Sequence, residues 1–470
     1  MSTDAPAQPE TGSLPVAGTE PAGPAADDRA PEPRGVAGRL RASLADPVLR
    51  VLVWATLISR VGRGVFLSVT VLYFTFVVGL DAGEVALVLA ASSAAGVVAS
   101  LVGGQLADRF SARRLLIGFT AAGGLGLVAY VFAADFASAL AVGVFLGVVD
   151  QAANTSRLAI LARAFDGAAR VNARAVLRAV TNISIAAGSG LGAIALAVGT
   201  PEAYRIALAG AGVAFLAGLT QLVKLPPSVD AVPRATAAAP ASAQPPASAE
   251  APASDPAPAK PSGRFTHSPW RDPRYLLLTL LSAVFGMQFG LGEIGVPLWI
   301  AHDTNAPEVL VSAVLILNTV IVVVFQVPLS RGTHDLRVAG RVSLYAGFLM
   351  AAACLVYASA AGLPMWWAVV CIVVGAVAHA FAEVLSQAGG WGMSFELADP
   401  VRAGTYQGVF GMGYSLGAMC APLVVNATAL ALGFWGWALL GAIFLASGAG
   451  LWAVGVRAAR RAAPTPRVGG

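Results

Sequence analysis

Residues 85–106 read VALVLAASSAAGVVASLVGGQL, a stretch without a single charge. Crossing about 30 Å of hydrocarbon at ~1.5 Å of rise per residue takes roughly 20 apolar residues in helical form. This stretch therefore reads as one membrane span. The reading repeats along the chain. Spans are expected at 50–78, 85–107, 113–134, 138–162, 174–199, 203–224, 274–301, 308–330, 338–361, 364–388, 403–432 and 434–457. Composition agrees, with 57% hydrophobic and 12% charged residues and a mean hydropathy of +0.73. Soluble domains carry about a quarter charged residues. The net charge of +5 is then a matter of loop placement and carries no nucleic-acid signal. Cys354, Cys371 and Cys420 all lie in apolar stretches, so small apolar filler is expected and a disulfide or thiolate metal site is not.

Arginine placement orients the spans. One set of loops holds Arg109, Arg113, Arg114, Arg163, Arg170, Arg264, Arg271, Arg274, Arg331, Arg337, Arg341 and Arg402. The opposite set holds Asp81, Glu84, Asp135, Glu202, Asp303 and Glu308, with Arg205 as its base. Basic residues also flank the first and last spans, so both termini are expected to be cytoplasmic. Residues 1–47, rich in Pro, Ala and Gly, are expected to form a disordered tail with no cleavable signal peptide. Residues 458–470 form a basic tail.

Residues 226–270 interrupt the spans with a Pro/Ala/Ser run, a composition that behaves as a semi-extended linker. The linker leaves two six-span halves, 48–225 and 271–457. Gly62-Arg63-Gly64 in span one is echoed by Gly290-Leu291-Gly292 in span seven. Arg170 precedes a Gly/Ser-rich span five and Arg402 a Gly/Ser-rich span eleven. Such repeats are common in transporters, with substrate held between them.

The loop after span two reads Gly103-Gly104-Gln105-Leu106-Ala107-Asp108-Arg109-Phe110-Ser111-Ala112-Arg113-Arg114. A small residue allows close helix approach, and an acid at a helix end can pair across an interface that opens and closes. This loop resembles the cytoplasmic signature of the major facilitator superfamily at Gly104, Asp108, Arg109, Arg113 and Arg114. It departs at Ser111, where the family prefers Gly, and by one residue inserted before the arginine pair. A plain positive-inside loop would explain the arginines but not the Gly/Asp spacing. The counterpart in the second half, 330–337, is degraded. The resemblance implies an all-α membrane protein of twelve transmembrane helices in two six-helix bundles that rock in alternating access. It further implies that spans one, four, seven and ten line the central cavity.

Ionisable groups fall deep in those four spans: Arg60 and Arg63 in span one, Asp150 in span four, Glu293 in span seven, His379 and Glu383 in span ten. A charge at the bilayer centre costs at least ~2.5–3.5 kcal/mol, so these groups are expected to share a wet cavity. Arg60 and Arg63 are one turn apart. Asp150, Asn154 and Arg157 form a stripe, and His379 and Glu383 are again one turn apart. An Arg60/Arg63–Asp150 pair between spans one and four is geometrically open. Two bases against three acids leave one carboxyl unpaired, and low dielectric favours the neutral form of such a group. Glu293 is the expected proton carrier and Asp150 the second choice; the bland alternative for both is an interhelical structural pair. For His379–Glu383 that alternative is a satisfied pair near the gate. Arg157, Arg174 and Arg178 are expected to snorkel or brace the inner gate. Tyr406 and Gln407 either line the inner mouth or pack. Trp54, Trp299, Trp366 and Trp367 read as interface anchors, and Phe66, Phe285 and Phe289 as cavity aromatics.

The run 386–397 with Tyr406-Gln407-Gly408-Val409-Phe410 looks like bacterial drug-efflux members of the superfamily, which implies export by proton antiport. The span-five element Ala187-Gly188-Ser189-Gly190-Leu191-Gly192 lacks the proline that antiporters often carry there. Uptake by proton symport therefore stays as the second reading, and a non-transporting sensor or scaffold as the third. No ATP-binding loop surrounds Lys224 or Lys260, and no catalytic or zinc set accompanies His379. The expected partners are a small organic substrate, protons and the lipid bilayer of the plasma membrane, with no cofactor, no metal, no nucleic acid and a monomeric chain.

Overall fold

The computed structural model describes residues 44–230 and 268–462. The tails and most of the linker lie outside them. Twelve helices are long and apolar enough to span a membrane: α1 Pro47–Val78, α2 Ala82–Arg109, α3 Ala112–Phe132, α4 Phe136–Ala164, α5 Gly167–Val198, α6 Pro201–Leu222, α7 Pro273–Asp303, α8 Val309–Leu329, α9 Leu336–Ser359, α10 Met365–Glu396, α11 Pro400–Leu430 and α12 Gly433–Arg461.

Local chemistry starts these helices where the sequence changes character. Asp46 accepts from the Leu49 N–H at 2.8 Å just ahead of Pro47. Asp81 and Glu84 form a reciprocal capping box, as do Asp135 and Ser138. Thr200 precedes Pro201, and Asp272 precedes Pro273. Each cap satisfies amides that a helix start leaves without partners.

Packing exposes the internal repeat. In the first half α1 lies on α5 and α6, α2 on α4, and α3 on α4 and α6. Shifting every number by six gives the main second-half contacts: α7 on α11 and α12, α8 on α10, and α9 on α10 and α12. The glycine echo does not keep its register in this pattern. A Cβ on Gly62 would stand 2.5 Å from the Ala211 carbonyl of α6 and one on Gly290 2.4 Å from the Ala421 Cβ of α11, while Gly64 faces Ile185 of α5 and Gly292 faces His379 of α10. Between the halves, α2 packs on α11 and α5 on α8, the same relation seen twice.

Four expectations are corrected. α10 runs to Glu396 rather than 388, through Gly389, Gly390 and Gly392. Those glycines are buried against neighbours (a Cβ on Gly389 would meet Ser343 Oγ at 2.2 Å), so tertiary packing overrides their low helix propensity. α5 likewise begins at Gly167 rather than 174. Residues Pro227–Asp230, assigned to the linker, form a 3₁₀ turn that folds back on the α2–α3 loop. There Asp230 accepts from Ser111 Oγ at 2.6 Å and from the Arg113 N–H at 3.1 Å. Trp299 is buried, donating to the Tyr357 carbonyl at 2.8 Å against Trp437, whereas Trp54, Trp366 and Trp367 are exposed as interface anchors would be.

α7 is the least regular span. Its helix is interrupted at Met287, and Leu291–Gly295 form a π-helical turn before α-helix resumes at Val296. Such single-turn bulges gather at functional sites, and this one carries Glu293.

Candidate functional site

The signature loop seals one seam between the halves. Asp108, at the end of α2, accepts from the Gly404 N–H at 2.8 Å, and from the Thr405 N–H and hydroxyl at 2.6 Å each. A carboxylate at a helix N-terminus satisfies free amides and meets the positive end of the dipole. Arg163 of α4 neutralises the same carboxylate at 2.9 Å. Gly104 makes the approach possible: a Cβ there would lie 2.2 Å from the Gly404 carbonyl. Higher on this seam Ser100 donates to the Gly408 carbonyl at 3.1 Å, and Gln151 to Ser415 at 2.9 Å. Arg113 donates to the carbonyls of Leu225 and Val223, tying down the end of the first half. Arg109 and Arg114 are exposed.

The second seam joins α5 to α8 and α10. Arg170, Arg174 and Arg178 recur every fourth residue on one face of α5. Arg170 meets Glu396 at 3.3 Å, the Arg174 guanidinium lies 4.4 Å from the Trp391 ring centre, and Arg178 meets Glu383 at 2.5 Å. Asn318 of α8 donates to the second oxygen of Glu383 at 3.0 Å, and Arg178 Nε donates to Gln326 at 3.1 Å. Beside them Gln387 bonds Tyr414, and Gln288 bonds Ser386. Of the two roles expected for Arg174 and Arg178, these contacts fit a brace between the halves and not snorkelling. Glu383 is taken by Arg178 and Asn318 rather than by His379, which packs edge-on against Tyr357.

The expected pairing of spans one and four is present. Arg60 Nη1 lies 3.3 Å and Arg63 Nη1 3.7 Å from the two oxygens of Asp150. The three groups border a cavity within the first half, together with Arg157 and Phe66. Asn154, on the same stripe, is half-buried and makes no hydrogen bond among the described residues. Glu293 stands apart and exposed, on the half of α7 away from the Asp108 seam, without an ion pair or hydrogen bond among the described residues.

The charge count changes as a result. Arg157, Arg174 and Arg178 belong to the buried set, so five arginines face three acids. Glu293 is left unpaired by its distance from the bases and not by their scarcity. Phe285 is buried on Phe444 in the second-half core, whereas Phe289 lies by Arg178 and Tyr414. Tyr406 and Gln407 are buried packing residues, against Tyr275 and Ser394. The α5 ladder was legible as arginines at i, i+4 and i+8. Asn318 and Gln326 were legible as two amides in the most apolar span.

The sequence profile of the Major Facilitator Superfamily matches residues 52–422. No curated protein sequence matches the chain significantly. Among solved structures, the fold is similar to the human organic anion transporter MFSD10 (TM-score 0.61, 15% identity, covering 86% of this chain and 99% of that one). It is similar to a bacterial homologue of the iron transporter ferroportin in an outward-facing state (0.62, 13%, 87% and 98%). It is also similar to the proton:xylose symporter XylE (0.60, 12%, 87% and 95%). With the profile, the six-shift repeat and the Asp108 seam together, the chain belongs to the Major Facilitator Superfamily of membrane transporters.

Proposed function

We propose that the chain is a secondary active transporter that exports small organic molecules across the plasma membrane in exchange for protons. In this reading the Asp108 seam and both termini face the cytoplasm, where arginine-rich loops belong, and the two six-helix halves rock about the central passage. The observation that carries it is the placement of the polar contacts between halves. Those described lie on the Asp108 side or at mid-depth, as expected of a molecule sealed on one face and open on the other. These contacts are hydrogen bonds and ion pairs, which water can replace when the seam parts. Glu293 is the proton carrier of the cycle: it has no base to hold its charge, it sits in a π-turn, and it lies within electrostatic range of Glu383. Asp150, held by two arginines, is the weaker candidate. Proton coupling is also named for the structurally similar xylose symporter, which supports coupling without choosing a direction.

The test is an accumulation and resistance screen in a host stripped of its own pumps, with and without an uncoupler. Transport of the solute so found is then followed in vesicles. Glu293→Gln is expected to cut flux driven by a pH gradient at least tenfold while leaving solute exchange at zero gradient intact. Unchanged gradient-driven flux would remove Glu293 from the role, and accumulation rising with expression would turn export into uptake.

A further inference from the structure

One charged cavity is lined by the first half alone. It lies inside the first six-helix group, bordered by α1, α3, α4 and α6. Its polar lining is Arg60, Arg63, Asp150, Arg157, Ser59 and Thr120. Three guanidinium groups meet one carboxylate, which leaves two positive charges in excess. The carboxylate does not hold its partners closely: 3.3 and 3.7 Å compare with the 2.9 Å of Arg163 on Asp108 and with the ~2.7–2.9 Å usual for charged pairs. Arg157 is mostly covered and has no hydrogen bond or ion pair among the described residues, although it stands in the lining. Uncompensated charge at membrane depth is costly, which calls for a counter-ion. The cavity volume is about 30 Å³, against the ~10–15 Å³ on the same scale that one water occupies. That is room for one small anion or a carboxylate group.

We propose that this cavity is an anion site, in which Arg157 with Arg60 and Arg63 binds one small monovalent anion, a halide or a carboxylate group. Asp150 shares the same arginines and competes with the ligand. The anion neutralises the first half internally and holds α1, α3 and α4 together. The assignment does not depend on the direction of transport or on Glu293.

The experiment uses the purified full chain in lipid nanodiscs. Chloride is titrated against gluconate at constant ionic strength while thermal unfolding is followed, and binding of radiolabelled chloride is measured in parallel. A second arm replaces chloride with benzoate. We expect a saturable rise of the unfolding midpoint matched by saturable binding. A charged hydrogen bond is lost, so Arg157→Gln should weaken binding at least tenfold. Asp150→Asn should tighten it, and this opposite sign keeps the test decisive if Arg157→Gln does not fold. Saturation by chloride alone assigns an inorganic anion. Saturation by benzoate as well assigns the carboxylate end of an organic solute. No saturable effect of either anion, or an unchanged response in both variants, would overturn the site.

Discussion

The two seams between the halves are related by the internal repeat, yet they are built from different chemistry. Between α2 and α11 the contact is close backbone approach: Gly104 lies against Gly404, and one carboxylate caps a helix start. Between α5 and α8/α10 the contact is made by long side chains, with arginines reaching carboxylates, amides and a tryptophan face. The first arrangement is short-range and steric, so it either forms completely or not at all. The second tolerates movement, because guanidinium groups can exchange partners while the helices slide. The difference assigns the α2–α11 seam the role of latch, and the α5–α10 ladder that of a contact able to yield to water or solute.

Breaking the latch should have the largest effect. Asp108→Ala leaves Arg163 buried without its counter-charge and strips the α11 amides of their cap. A loss of about 3–5 kcal/mol, the usual cost of halving a buried pair, is expected as a lower unfolding midpoint. Spin labels on the ends of α2 and α11 should also move apart. Gly104→Ala comes next. Its Cβ would face the Gly404 carbonyl, and overpacking of this kind costs about 1–3 kcal/mol. The same label distances should show a smaller sealed population with little change in overall stability, since the clash exists only when the seam is closed.

The ladder should respond less. Glu383→Gln keeps an acceptor for Arg178 and loses only the charge, a difference of about 1 kcal/mol. The label distance across α5 and α10 should broaden without a second population. A broadening equal to that of Asp108→Ala would erase the distinction between the seams. The smallest effect belongs to the degraded second-half loop. Asp335 there caps only its own helix: the Val338 N–H holds its carboxyl below the usual 3.8, helped by the Arg337 N–H. A lowered folded value means the cap contributes fully above the unfolded value near 3.8 and is lost as pH falls through the folded one. Asp335→Ala should therefore lower the unfolding midpoint at pH 6, by no more than the ~1 kcal/mol of a cap. The gap should close under acid.

The contrast between the two loops explains what was legible beforehand. Gly104 and Asp108 stand in a spacing that a plain basic loop does not need. The partner of Asp108 is the backbone of Gly404 and Thr405, which has no residue-type signature. Arg60, Arg63 and Asp150 were readable because their depth and facing agreed on two neighbouring spans. Helical spacing puts His379 beside Glu383 on one helix and is silent about Arg178 of α5 and Asn318 of α8, which take the Glu383 oxygens. Arg157, Arg174 and Arg178 read as snorkelling or gate-bracing residues because spans four and five read as ending or beginning close to them. For Arg174 and Arg178 the start of α5 at Gly167 puts about two to three turns of helix ahead of them, whereas Arg157 lies on α4, about two turns before its end at Ala164.

Hydrophobic length, charge placement and cap residues determine twelve spans, their two-half grouping and the superfamily, since each depends on a property local to a segment. Which arginine meets which acid depends on contacts between different helices, 55 positions apart for Arg163 with Asp108 and 205 for Arg178 with Glu383. Only the packed helices decide that, because helix approach is set by glycine contacts on both surfaces at once. The same packing encloses three guanidinium groups with one carboxylate around a cavity in the first half, a charge excess that no single span displays.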